Sequence, residues 1–147
     1  MRTNYDGINL IKCCEGLRLQ AYLCPAGVPT IGYGHTEGVH VGYHITPAQA
    51  EAYFAQDLRK FEVGVGQLVQ VDLNANQFSA LVSFAYNEGI GALKESHLLL
   101  KVNTKDWSGV VDELAKWIKA EVDGKMVVLP GLVTRRKAEA TLFERLP

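Results

Sequence analysis

Ile8, Leu10 and Ile11 form the first apolar cluster, following Asn4 and Asp6, either of which can cap a helix. That helix closes around Glu15-Gly16, where glycine is a suitable helix-ending residue. From Leu17 to about Tyr43 the pattern changes. Pro25, Gly27, Pro29, Gly32, Gly34, Gly38 and Gly42 punctuate β-branched and aromatic residues. This predicts a small, irregular antiparallel sheet with tight turns. Helical signals return at Thr46-Pro47-Ala48-Gln49, an N-cap, a proline at the first helical position and the partner of a capping box. Ala50, Phe54 and Leu58 continue that helix toward Val63-Gly64-Val65-Gly66, where it is expected to end or bend. Asn74 and Gln77 form a second capping box, with Leu73 and Phe78 as a hydrophobic staple. It opens a helix over Ala75–Tyr86 that stops near Asn87–Gly91. Ser96 opens a short helix through Val102. Asp106 opens another, with Val110, Val111, Leu114 and Ile118 inward. Gly124 to Pro130 reads as a loop or small hairpin, and Gly131 to Leu146 as a last helix. The outline is one helix, a small β region and about five more helices: an α+β chain with a small sheet at one end of a helical body.

Length and composition narrow the class without naming a function. A chain of 147 residues fits one domain with two lobes, and such a chain buries enough surface to need no metal or disulfide staple. Apolar residues at 48% and charged residues at 21% place it among globular proteins and away from disordered ones. The formal net charge of −1 removes the footprint of a dedicated nucleic-acid binder, though not a local basic patch. No apolar run approaches the ~18–20 residues that span a bilayer, so stable membrane insertion is not expected. The start, MRTNYDGINLIKCCEG, reads as the first helix and not as a signal peptide, which predicts a chain made in the cytoplasm. Cys13, Cys14 and Cys24 are too few and too unevenly placed for a disulfide scaffold.

Candidate chemistry gathers near the first helix. Glu15 lies at its C-terminal end, where the helix dipole favours a protonated acid. A protonated carboxyl is what a leaving group needs from a general acid. The alternative is a solvated glutamate in a fraying turn. In Val28–Thr36, regular alternation would put Thr30, Gly32 and Gly34 on one face, open to a ligand ring, with Ile31 and Tyr33 packed on the other. A β-bulge that requires glycine explains the same residues. Cys24, in the preceding turn, fits a small buried hydrophobe unless a basic neighbour activates it. His35, His40, His44 and Glu37 are close in sequence, but their spacing fits no zinc motif, so no metal is expected. Arg135-Arg136-Lys137 reads as a solvated helix face, with a nucleic-acid patch or an anion clamp as alternatives. Tyr86, Trp107 and Trp117 fall in helical apolar patterns and read as core.

Glu15-Gly16, Cys24 and Thr30, separated by eight residues from Glu to Cys and five from Cys to Thr and followed by Ile31-Gly32-Tyr33-Gly34-His35-Thr36, resemble the catalytic signature of phage-type lysozymes (endolysins) of glycoside hydrolase family 24. Gln77–Gly89 resembles that family's central helix, and Leu129–Glu139 its C-terminal motif. The resemblance implies a lysozyme-like fold with a cleft between a β lobe (about residues 17–45) and a helical lobe (1–16 and 70–147), joined by a helix over 46–69, all within one catalytic domain of residues 1–147. It implies hydrolysis of the β-1,4 bond between N-acetylmuramic acid and N-acetylglucosamine in peptidoglycan, causing host lysis without a cofactor. Glu15 would be the general acid, Thr30 would hold the attacking water, and residue 24 would orient it on the opposite face of the sugar, which gives inversion. Tyr33, His35, Asn87 and Arg135 would line or support the cleft. The family's usual aspartate is here Cys24. It is left as a thiolate base, as a nucleophile forming a thioglycoside, or as a bystander beside Thr30. A bridge from Cys13 or Cys14 to Cys24 would allow redox silencing, against the alternative of three unpaired thiols. The rival functions are a lytic transglycosylase and a non-catalytic peptidoglycan-binding module. The resemblance further implies a monomer that reaches the periplasmic wall through a holin-type pore.

Overall fold

The computed structural model describes residues 1–147. Helix α1 (Tyr5–Glu15) starts where the Asn4 side chain accepts the Gly7 N–H, and it stops at Gly16, whose φ is +71°. Strands β1 (Arg18–Leu23) and β2 (Pro29–Gly32) pair antiparallel, with an irregularity between Arg18 and Tyr22. The regular alternation expected through Gly34 ends at Gly32. Gly32 and Gly34 take φ of +66° and +79°, and the chain folds back so that Ile31 and His35 exchange both backbone hydrogen bonds. The β lobe is thus two short strands plus single bridges, including Gln20 to His44.

Helix α2 (Pro47–Leu68) carries the expected Thr46–Gln49 capping box but runs past the expected stop at Val63–Gly66. Gly64 serves packing instead. A Cβ there would lie 2.5 Å from the Ile90 side chain. Helix α3 (Ala75–Glu88), opened by the Asn74–Gln77 box and closed by Gly89 at φ +96°, is buried almost continuously from Phe78 to Ala85. Next come α4 (Ile90–Glu95), α5 (His97–Asn103, capped by Ser96) and α6 (Trp107–Leu114, capped by Asp106). The sequence did not signal α4, which lacks a side-chain cap. Helix α6 ends before Ile118, which lies beyond it and accepts the Leu129 N–H. Strands β3 (Lys119–Val122) and β4 (Lys125–Val128) form a hairpin that begins before the expected loop. Its turn residues, Asp123 and Gly124, both have positive φ, as a type I′ turn requires. Helix α7 (Pro130–Glu144) ends the chain.

Helix α3 packs against α1, α2 and α7. The core around it includes Ile11, Phe54, Leu81, Phe84, Val110 and Leu142, with Tyr86, Trp107 and Trp117 packed on its margin. The result is α+β: a helical body, a small β lobe on α2 and a separate hairpin before α7. No helix is long and apolar enough to cross a membrane.

Candidate active site

Because α1 stops at Gly16, the Glu15 side chain projects from a helix end and remains partly exposed. It meets a cation there. Arg135 Nη1 lies 2.6 Å from Glu15 Oε2, although 120 residues separate them. Arg135 is 3% exposed, so its remaining donors need partners. Nη2 donates to the Ser83 carbonyl at 3.0 Å, and Nε to Glu139 Oε2 at 3.3 Å. Glu139 is fully buried, accepts the Ser83 hydroxyl at 2.6 Å and pairs with Arg136. Arg136 in turn donates to the Trp117 carbonyl, Asn87 and Glu88, and its guanidinium sits over the Phe84 ring. Burial alone would lower the pKa of Arg135, but the charges of Glu139 and Glu15 outweigh it and hold the value above the ordinary one.

The expectation of a solvated basic face at 135–137 is therefore corrected. Arg135 and Arg136 are buried and only Lys137 is exposed. Two guanidiniums enter the interior because two carboxylates, Glu139 fully and Glu15 partly buried, meet them there.

The opposite side of Glu15 is backbone. A Cβ built on Gly34 would lie 2.8 Å from Glu15 Oε1, so the open glycine face admits the protein's own carboxylate. Tyr86, on α3, donates its hydroxyl to the Tyr33 carbonyl. Burial raises the Tyr86 pKa strongly, and the negative charges of Asp57 and Glu15 add to the effect. Gly34, Thr36, Asp57, Lys60, Tyr86 and Asn87 are among the residues lining an adjoining cavity of about 310 Å³.

Cys24 follows β1 and Thr30 lies within β2, so the hairpin brings the two together. The Cys24 N–H donates to the Val28 carbonyl at 3.0 Å, and the Thr30 hydroxyl donates to the same carbonyl at 2.9 Å. The Cys24 thiol is held below its ordinary pKa. The chief cause is the Val28 backbone N–H, opposed by desolvation and reinforced by Ala26 and Thr30. Cys24 is half-buried, Cys13 and Cys14 are exposed, and all three are free thiols.

The supporting candidates separate. Asn87 lines the cavity and accepts from Arg136. His35 is buried, 2.8 Å from Asp57 through Nδ1 and stacked on Tyr53 at 4.1 Å. It braces the β lobe on α2 and offers no free ring to a ligand. The Tyr33 ring packs edge-on against Phe54, beneath Lys12. Sequence reasoning missed Glu139, Arg136, Ser83 and Asp57. The only available signal was the i+3 and i+4 spacing of Arg136 and Arg135 to Glu139, which puts them on one helix face.

The family described as phage lysozyme matches residues 12–139. The endolysin of Acyrthosiphon pisum secondary endosymbiont phage 1 is 45% identical over 144 residues, covering 98% of this chain and 99% of that protein. Among solved structures, the endolysin from Escherichia coli O157:H7 phage FAHEc1 superposes with a TM-score of 0.90 at 39% identity, covering 98% of this chain and 94% of that one. The muramidase domain of SpmX from Asticaccaulis excentricus gives 0.92 at 39% identity, with 99% of both chains covered. With nearly its whole length matched in sequence and in fold, this chain belongs to the phage lysozyme family.

Proposed function

We propose that this chain is a peptidoglycan hydrolase, an endolysin-type lysozyme, in which Glu15 protonates the oxygen of the β-1,4 bond between N-acetylmuramic acid and N-acetylglucosamine. The observation that carries the reading is Glu15 itself. It is a partly exposed carboxyl at a helix end, fixed by a buried arginine and pressed against the Gly34 backbone beside a cavity. A fixed acid at an accessible surface is what leaving-group protonation needs. Water would be held by the Thr30 hydroxyl and oriented by Cys24, whose lowered pKa favours a thiolate able to accept a proton. Attack from the face opposite Glu15 gives inversion. Cys24 thus stands where the family's usual aspartate would be. The same reading has the chain act as a monomer that reaches the wall through a separate holin-type pore.

Glu15→Gln keeps the shape and removes the proton, so lysis of outer-membrane-stripped cells should fall by about two to four orders of magnitude. Equal clearing by the two proteins would leave only a binding module. The thiol in place of a carboxylate favours one second reading, a lytic transglycosylase, which needs no activated water. Mass spectrometry of digested peptidoglycan decides between them: reducing ends support hydrolysis, and 1,6-anhydro-muramyl ends support the transglycosylase.

A further inference from the structure

Glu139 has no contact with the cleft, yet it is a fully buried carboxylate with three hydrogen-bonding partners: Arg135, Arg136 and the Ser83 hydroxyl. A buried charge needs compensation, and here two guanidiniums converge on one carboxylate. One of them, Arg135, is also the cation that holds Glu15. Arg135 therefore bridges two carboxylates, one inside the protein and one at the cleft. We infer that Glu139 is a positioning residue for the general acid: it fixes the Arg135 guanidinium in direction and divides its charge, so that Glu15 is held in place while only part of the cation's pull falls on it. This rests on the reading of Glu15 as general acid.

The geometry explains why an arginine beside an acid does not disable it. An undivided cation at 2.6 Å favours the ionised carboxylate, which has no proton to give. A cation also facing Glu139 exerts less of that pull. Cys14 on its own helix and Tyr86 from α3 lie within electrostatic reach of Glu15, with Asp57 of α2 acting on Tyr86 as well. Around Glu139 they are Arg135 and Arg136, with Cys14 within electrostatic reach. Glu88 neutralises part of Arg136 from α3.

The test is the pH dependence of kcat/KM on purified peptidoglycan, from about pH 4 to about pH 9, for wild type, Glu139→Gln, Glu139→Asp and Ser83→Ala. Glu139→Gln leaves Arg135 undivided for Glu15, so the alkaline fall in activity should move down by roughly one pH unit. Glu139→Asp keeps the charge and should restore the wild-type profile. Ser83→Ala removes a neutral donor from Glu139, strengthens its hold on Arg135 and should move the fall slightly upward. Opposite displacements support the inference. A uniform loss of rate in folded Glu139→Gln, with the profile unmoved, overturns it and leaves Glu139 a purely structural residue. If Glu139→Gln does not fold, Ser83→Ala decides alone, and an unmoved profile there overturns the inference. Glu15→Gln keeps the two failures apart. An active Glu15→Gln defeats the general-acid reading, whereas an inactive one with unmoved profiles defeats only the role of Glu139.

Discussion

Gly34 leaves no room for a side chain beside Glu15. Its φ is +79°, which disfavours any L residue, and a Cβ would stand 2.8 Å from Glu15 Oε1. Gly34→Ala should strain the backbone by about 1–3 kcal/mol, lowering the melting temperature modestly. It should cost far more in activity, on the order of a hundredfold in the rate of cell lysis, because it moves the acid off Arg135. Turbidity decay and thermal melting of the same preparation check both parts. Cys24 carries a second residue-scale prediction. Its lowered pKa makes thiolate appear at a lower pH than in an ordinary thiol, and the thiolate fraction grows as pH rises. If that thiolate accepts water's proton, the acid limb of activity follows its ionisation. Cys24→Asp, with a carboxyl ionising near ~4, should extend activity to lower pH by more than about one unit, and Cys24→Ser should abolish that limb. Profiles identical to wild type in both variants would show that position 24 does not titrate in the mechanism. Alkylation of wild type, with mass spectrometry locating the label on Cys24, should reduce lysis in parallel.

The elements were legible where side chains speak to their own backbone. Thr46 with Gln49, and Asn74 with Gln77, place two helix starts by hydrogen bonds that span three residues, so they can be read locally. Gly64 was not legible. The same glycine that suggested a helix end sits inside α2 because Ile90 presses on it from α4, a contact that sequence order does not reveal. The burial of Arg135, Arg136 and Glu139 was hidden for a related reason. Their charges cancel only once α7 lies against α1 and α3, and a run of cations read alone defaults to solvent. The Glu15, Cys24 and Thr30 spacing is local by contrast, carried by one helix end and one hairpin. Close approach also sets the seam between α1 and α3, where a Cβ on Gly7 would lie 2.6 Å from Ser79 Cβ and 2.7 Å from Thr3 Cγ2. Overpacking of that kind costs typically about 1–3 kcal/mol. Gly7→Ala should lower stability by that amount in urea unfolding even though alanine favours helix, and a neutral or stabilising change would mean that the seam opens freely.

At the scale of the whole molecule the two lobes are held very differently. The helical body surrounds α3, whose residues from Phe78 to Ala85 are nearly all shut off from water. The β lobe buries Thr30, Ile31, His35 and Val39 while leaving Leu19, Leu23, Val28, Val41 and Tyr43 exposed. Sparse burial of this kind marks a segment that opens locally at lower free energy than the core. Two polar tethers stand against that opening: His35 to Asp57 at 2.8 Å, with its ring stacked on Tyr53, and the Tyr86 hydroxyl on the Tyr33 carbonyl. Removing the hydrogen-bond partner of a buried polar group costs about 1–3 kcal/mol. Asp57 keeps some contact with water, so the low end applies. His35→Ala should therefore loosen the β lobe before it unfolds the body. Hydrogen exchange is the measurement. The N–H groups of Ile31 and His35, both bonded within the lobe, should exchange at least about tenfold faster in the variant, while those of Val82 and Phe84 change by less than about twofold. The proposed catalytic residues span both lobes, with Glu15 on the body and Cys24 and Thr30 on the hairpin, so lysis should fall in step with the loosening. Equal acceleration in both lobes would instead show one cooperative unit, in which His35 stabilises the entire fold and does not hinge it.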